Sequence, residues 1–132
     1  MSVPCEVAVK CVLPAVRAMI AKELMTKHRM KQTEAAKLLG VSQPAISLYR
    51  RKIRGKAIDL EKDSQVRNLV ESMAQSLVKT KLSRSDFISK YCEICRTIRA
   101  KGLLCKLHKA FDPAIDIDNC GLCFTSDAIR CM

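Results

Sequence analysis

The chain has few of the features that membrane insertion or secretion require. It contains no tryptophan, so one of the usual bulky anchors at a membrane surface is missing. Lys10, Pro14 and Arg17 interrupt the partly apolar N-terminal stretch, which leaves no hydrophobic run of signal-peptide or transmembrane length. We therefore expect a cytoplasmic protein that does not bind membranes.

The sequence also lacks the patterns of a catalytic centre. No βαβ pattern surrounds its cysteines, and no constellation of acid and base side chains accompanies them. The Cys-x-x-Cys units taken alone are compatible with a thiol oxidoreductase or a metal enzyme. Such an enzyme is therefore the alternative. The prediction is that the protein is not an enzyme.

Basic residues outnumber acidic ones by a wide margin. The 132 residues include 24 Lys+Arg against 13 Asp+Glu, for a formal net charge of +11. An anionic partner is expected, and nucleic acid is one that fits. The length gives room for one compact domain, or for a small domain with an appendage.

A two-helix pattern over residues 32–53 is the most specific feature of the chain. Thr33 is a candidate N-cap of the first helix, and Gly40 suits a left-handed exit from it. Ser42 is the N-cap candidate of the second helix, with Pro44 in its first turn. Two short helices joined by so tight a turn are typical of a helix-turn-helix.

The second helix divides into a buried stripe and an outward face. Ile46, Tyr49 and Ile53 recur at helical spacing, and the remaining positions are predicted to face outward. Gln can pair with adenine, Ala or Leu can contact a thymine methyl group, and basic side chains bind phosphates. The candidate DNA-binding residues are Thr33, Ser42, Gln43, Pro44, Ala45, Ser47, Leu48, Arg50, Arg51, Lys52, Arg54 and Lys56.

Residues 13–56 resemble the helix-turn-helix of the phage-repressor and Cro-like (XRE) superfamily, most specifically in the run EAAKLLGVSQPAIS. The resemblance implies that the second helix is the recognition helix. It makes base readers of Gln43, Pro44, Ala45 and Ser47, and it places Arg50 and Arg51 near the DNA backbone. Leu48 departs from the pattern, because many relatives carry a polar or basic residue there. The alternative is a helical hairpin used only for packing.

Further helices are predicted on both sides of this motif. After a short lead without structure of its own, a support helix runs from Pro14 to about His28. Asp63 or Ser64 can cap a later helix, whose apolar face packs on the DNA-binding domain or on its counterpart in a dimer. That face consists of Val66, Leu69, Val70, Met73 and Leu77.

A last predicted helix leads into the cysteine-rich part of the chain. It begins near Ser83, which makes a capping box with Asp86, and ends at Gly102. The cysteines begin inside this helix and follow the pattern C-x2-C-x9-C-x2-H-x11-C-x2-C. The residues that form the pattern are Cys92, Cys95, Cys105, His108, Cys120 and Cys123.

Paired Cys-x-x-Cys units indicate a metal held by thiolates, because two intervening residues let both sulfurs reach one ion. Zinc would take Cys92, Cys95, Cys120 and Cys123 in a tetrahedron. A [4Fe-4S] cluster would also take four thiolates, with Cys105 and His108 as alternative ligands. Zinc and the cluster both stay open, and thiols that switch with redox state are a third alternative.

Over nearly its whole length the chain resembles a group of archaeal XRE-type predicted transcriptional regulators with a cysteine-rich C-terminus. The shared positions are Pro4-Cys5-Glu6, Leu13-Pro14-Ala15, the two-helix motif, and the cysteine and histidine positions of the tail with Gly102-Leu103-Leu104.

We expect an all-α protein in which a helix-turn-helix DNA-binding domain is followed by a helical, cysteine-rich metal-binding region. The predicted segments are 1–58 for the lead and helix-turn-helix, 59–90 for connecting or dimerisation helices, and 91–132 for the metal or Fe-S region. The predicted function is sequence-specific regulation of transcription by a homodimer on double-stranded DNA, with metal or redox sensing through the thiolates. An RNA-binding or translation-associated zinc module is the alternative, although the motif presents no stacking aromatics.

Overall fold

A computed structural model describes residues 4–51, 60–80, 82–114 and 116. All regular secondary structure within these ranges is helical, which confirms the all-α prediction. In chain order the elements are α1 Pro4–Val7, a π-helical turn Ala8–Val12, α2 Leu13–Thr26, α3 Gln32–Leu39, α4 Gln43–Arg50, α5 Ser64–Lys79, α6 Arg84–Ala100 and α7 Cys105–Phe111.

The N-terminal segment is helical and runs directly into α2, so the prediction of a lead without structure is wrong for residues 4–12. Val7 and Val12 are buried, and burying them favours a helix over an open chain. Pro14 has no N–H to donate within a regular helix. The chain accommodates it with the π-helical turn, in which the Leu13 N–H bonds to the Ala8 carbonyl.

Helix α2 lies at the centre of the fold. Val16, Ile20 and Leu24, which follow one another at helical spacing, are fully buried, as the sequence pattern predicts. The helix ends at Thr26, two residues before the predicted end at His28. Helices α3, α4 and α5 all pack against it.

Helix α5 begins where the sequence predicts, because the Asp63 side chain accepts a hydrogen bond from the Val66 N–H at 3.0 Å. Its apolar stripe is buried against α2 and α6 of the same chain, with Leu69 half-buried at its edge. Lys27 of α2 forms an ion pair with Glu71 of α5 at 3.0 Å. Of the two predicted environments for this stripe, packing within the chain is therefore the observed one.

Helix α6 is capped at both ends as predicted. The Ser83 Oγ accepts from the Asp86 N–H at 3.1 Å and donates to the Asp86 carboxylate at 2.8 Å. At the other end Gly102 adopts φ +73°, and the Leu103 N–H bonds back to the Ile98 carbonyl at 3.2 Å. The following turn leads to α7, which packs on α1.

The described parts of the three predicted segments share one hydrophobic core, which extends from Val7 to Leu104. The boundary predicted between residues 58 and 59 falls among residues 52–59, outside the described part of the chain.

Candidate nucleic-acid interface and cysteine region

The turn between α3 and α4 is built by backbone chemistry at Gly40. This residue has φ +67°, a left-handed conformation that a β-carbon disfavours. The Val41 N–H bonds to the Ala36 carbonyl at 3.0 Å, and the Gly40 N–H bonds to the Lys37 carbonyl at 3.3 Å. These two bonds close α3 and turn the chain toward α4. The predicted role of Gly40 is confirmed.

Helix α4 begins with the predicted cap. The Ser42 Oγ accepts a hydrogen bond from the Ala45 N–H at 3.2 Å, and Pro44 lies in the first turn. A proline costs little there, because the first N–H groups of a helix have no partner within it.

Thr33 is not the cap of α3, contrary to the prediction. The helix begins at Gln32, and the N-cap position is occupied by Lys31, whose side chain makes no capping bond. The Ala35 N–H bonds to the Lys31 carbonyl at 3.0 Å, which sets the first turn two residues earlier than a Thr33 cap allows. Thr33 therefore lies within the first turn as an exposed residue.

The inner faces of α3 and α4 pack on α2 and on each other. Ile46 is fully buried, Tyr49 is 6% exposed and Ala36 is 5% exposed, as predicted for the inward positions. Ala45 is only 7% exposed, so the prediction that it faces outward is wrong. Its small side chain belongs to the same buried core as the neighbouring Ile46. A small residue fits there, because packed helices approach each other closely.

The outward face of α4 carries polar and basic residues. Gln43 and Pro44 at its start and Arg50 at its end are exposed, and Arg51 is exposed just beyond it. Two further candidates, Ser47 and Leu48, are half-buried. Lys52, Arg54, Lys56 and the predicted core residue Ile53 lie outside the described residues.

Gln43 is held by a partner that the sequence analysis missed. Its Nε2 donates a hydrogen bond to the Oε1 of Gln32 at 2.8 Å, which joins the first residues of α3 and α4. The bond uses one of the two amide hydrogens of Gln43, so its other hydrogen and its carbonyl oxygen can still meet a base edge. The identical residue type at the first position of each helix is the only sequence signal for this pair.

Cys92 and Cys95 lie one turn apart on α6, and Cys105 and His108 have the same spacing on α7. Cys95 and His108 are buried, whereas Cys92 and Cys105 are half-buried.

Among the described residues, no three His, Cys, Asp or Glu side chains come together as a group that could hold a metal ion. Cys120 and Cys123, half of the predicted zinc tetrahedron, lie outside the described part of the chain.

Tyr91 and Lys101 make polar links between the cysteine-bearing helix α6 and other helices. Near its middle, the Tyr91 hydroxyl donates a hydrogen bond to the Leu13 carbonyl at the start of α2. At its end, the Lys101 Nζ lies 2.8 Å from a carboxylate oxygen of Asp63, the N-cap of α5. The Lys101 hydrogen bond and the Val66 N–H lower the pKa of Asp63.

No protein-family model, curated protein or solved structure matches this chain. Within the described ranges, no helix has the length and apolar character needed to cross a membrane.

Proposed function

We propose that the protein is a sequence-specific DNA-binding regulator of transcription, in which α4 enters the major groove. One observation carries the proposal: α3 and α4 pack on α2 around the Gly40 turn and leave Gln43 and Arg50 exposed on α4. A short, rigidly supported helix with a polar start and a basic end suits the dimensions and charge of that groove.

In this mechanism the start of α4 reads bases and its end binds phosphates. Gln43 faces adenine, and its bond to Gln32 limits the directions that its amide can take. Arg50 and Arg51 contact the phosphates of the DNA backbone. The basic residues of the following segment add further phosphate contacts, namely Lys52, Arg54 and Lys56. A homodimer would read two half-sites about one helical turn apart.

Binding to duplex DNA is tested first by selecting an operator from random sequences with the full chain. The variant Gln43→Ala should then lose about 10-fold in affinity for the selected operator, because a bidentate base contact contributes about 1–3 kcal/mol. Its affinity for unrelated DNA should stay unchanged. If the Gln43→Ala protein keeps full operator affinity, Gln43 does not read a base.

The phosphate contacts are tested by salt dependence. The double variant Arg50→Ala/Arg51→Ala should lower the slope of log K against log salt by about 2, since each phosphate contact contributes about 0.9. Lys79→Ala is the control, because Lys79 is an exposed basic residue at the end of α5, a helix whose main packing partners are α2 and α6. If the control changes the slope by the same amount for each charge removed, the effect reflects the net charge of the protein and not contacts made by α4.

The net charge of +11 also favours a second candidate, an RNA-binding or translation-associated zinc module. Comparing affinities for the selected duplex and for a structured RNA of equal length, at one salt concentration, separates the two functions. Tighter binding to RNA would replace the first proposal with the second.

We propose in addition that the C-terminal thiolates make DNA binding responsive to metal or redox state. Cys92 and Cys95 support this, because their spacing on α6 suits a shared metal ion. Cys120 and Cys123 would complete the site, with Cys105 and His108 as the alternatives for an iron-sulfur cluster. The bound group, zinc or [4Fe-4S], would fix the C-terminal segment against α6.

A further inference from the structure

Tyr91 of α6 contacts residues from the first turn of α2. Its hydroxyl donates to the Leu13 carbonyl, across 78 positions of sequence. The Arg17 guanidinium lies 5.7 Å from the centre of its ring, and the Phe87 ring stacks on it with centroids 6.0 Å apart. The phenol is thus held on two sides while its oxygen reaches the backbone of α2.

The bonded carbonyl belongs to the turn that follows the π-helical segment. In a regular α-helix the Leu13 carbonyl accepts from the Arg17 N–H. The Tyr91 hydroxyl gives this carbonyl a donor from a different helix. The hydrogen bond therefore ties α6 to the start of α2.

The helix that accepts this bond also supports α4, because α4 packs on α2. Burial raises the pKa of Tyr91, and the nearby phenol of Tyr49 and thiol of Cys95 add to the increase, while Arg17 opposes it. Tyr49 is on the inner face of α4, where it is 6% exposed. Helix α2 is therefore the element that connects Tyr91 to α4.

We infer that the Tyr91 hydroxyl is a positioning group for DNA binding, because it fixes the first turn of α2, the helix on which α4 rests. This inference rests on the proposed DNA binding by α4. Tyr91 contacts no DNA in this scheme and acts through α2. Docking of α6 then supports the orientation of α4 through α2, which makes the cysteine-bearing helix part of the DNA-binding unit.

The variant Tyr91→Phe tests the inference, because it removes the hydroxyl and keeps the ring that packs on Phe87 and Arg17. Operator affinity should fall about 5-fold, which corresponds to a lost hydrogen bond of about 1 kcal/mol. Amide hydrogen exchange of the free protein should become faster at the start of α2 and in α4.

The matched control is Ile88→Ala, which shortens an exposed side chain on the same helix and leaves the hydroxyl and its ring contacts in place. Its operator affinity should stay within about 2-fold of the native value, a change well under 1 kcal/mol. The exchange measurement needs no DNA, so it separates two kinds of failure. Native protein that binds no duplex would overturn the proposed function, whatever the exchange rates. Native protein that binds its operator, with Tyr91→Phe equal to it in affinity and exchange, would overturn the role of Tyr91.

Discussion

The side chains of Gln32 and Gln43 form a hydrogen bond of 2.8 Å between the first residues of α3 and α4. The bond thereby fixes the start of α3 to the start of α4. In the proposed DNA complex, the start of α4 is the part of the protein that lies closest to the bases. The bond gives the amide of Gln43 a preferred direction before DNA arrives, which lowers the entropy that binding must remove.

We predict that Gln32→Ala weakens operator binding by about 3- to 10-fold, because Gln43 loses the partner that orients it. Thermal stability should change little, since the bond is exposed and surface substitutions usually have small effects. Band-shift titrations of Gln32→Ala, Gln43→Ala and the double variant measure the coupling. Strictly additive losses would show that the two residues act independently.

Gly40→Ala should destabilise the protein by about 1 kcal/mol, because alanine disfavours the left-handed conformation at φ +67°. An added β-carbon would meet no atom within 4 Å, so the cost comes from the backbone and not from a clash. Urea unfolding measures the change in free energy. Gly40→Asn is the control and should cost less, since asparagine tolerates this conformation better. Equal stability of all three proteins would contradict the prediction.

Asp63 has two roles, which two substitutions separate. Asp63→Asn keeps a capping side chain for the Val66 N–H and removes the charge beside Lys101, whereas Asp63→Ala removes both. We expect the midpoint of urea unfolding to fall from the native protein to Asp63→Asn and again to Asp63→Ala. Equal midpoints for the two variants would mean that the cap contributes nothing.

From the Asp63 charge we also predict that the free energy of unfolding decreases at acidic pH. The pKa of Asp63 is lowered in the folded protein, so its contribution is present above the ordinary value of 3.8 and is lost as the pH falls through the folded value. The stability difference between native protein and Asp63→Asn should therefore shrink in acid. Urea unfolding over a pH series checks this, and a difference that is constant with pH would contradict it.

From the buried phenol of Tyr91 we predict that the free energy of unfolding decreases at alkaline pH. Burial raises the pKa of Tyr91 above the ordinary value of 10.0, so the unfolded chain loses this proton before the folded protein does. The contribution of Tyr91 to stability is complete below pH 10.0 and decreases as the pH rises further. Native protein should therefore lose more stability than Tyr91→Phe above this pH. Parallel urea midpoints for the two proteins would contradict the prediction.

The metal proposal is decided by protein purified without oxygen. A colourless protein with one zinc ion would exclude the cluster, and a brown protein with iron and sulfide would exclude zinc. Cys92→Ala/Cys95→Ala should lose the bound metal in either case. Operator affinity is then compared with and without metal or oxidant. A metal-free protein would contradict the metal site, and equal affinity in every state would remove the sensing proposal.

Local sequence was enough to predict the features that depend on neighbouring residues. Ser42, Asp63 and Ser83 cap their helices as expected, since a capping side chain needs only the N–H group three residues ahead. Gly40 ends α3 and Gly102 follows the end of α6 for reasons that are equally local. The apolar stripe of α5 follows from helical spacing alone.

The tertiary structure decided what depends on distant residues. The burial of Ala45 follows from how α4 packs on α2 and α3, which no local pattern contains. The contact between Tyr91 and Leu13 joins positions 78 residues apart. A capping bond forms within one turn whatever the remaining fold, whereas such a contact exists only after the whole core has assembled.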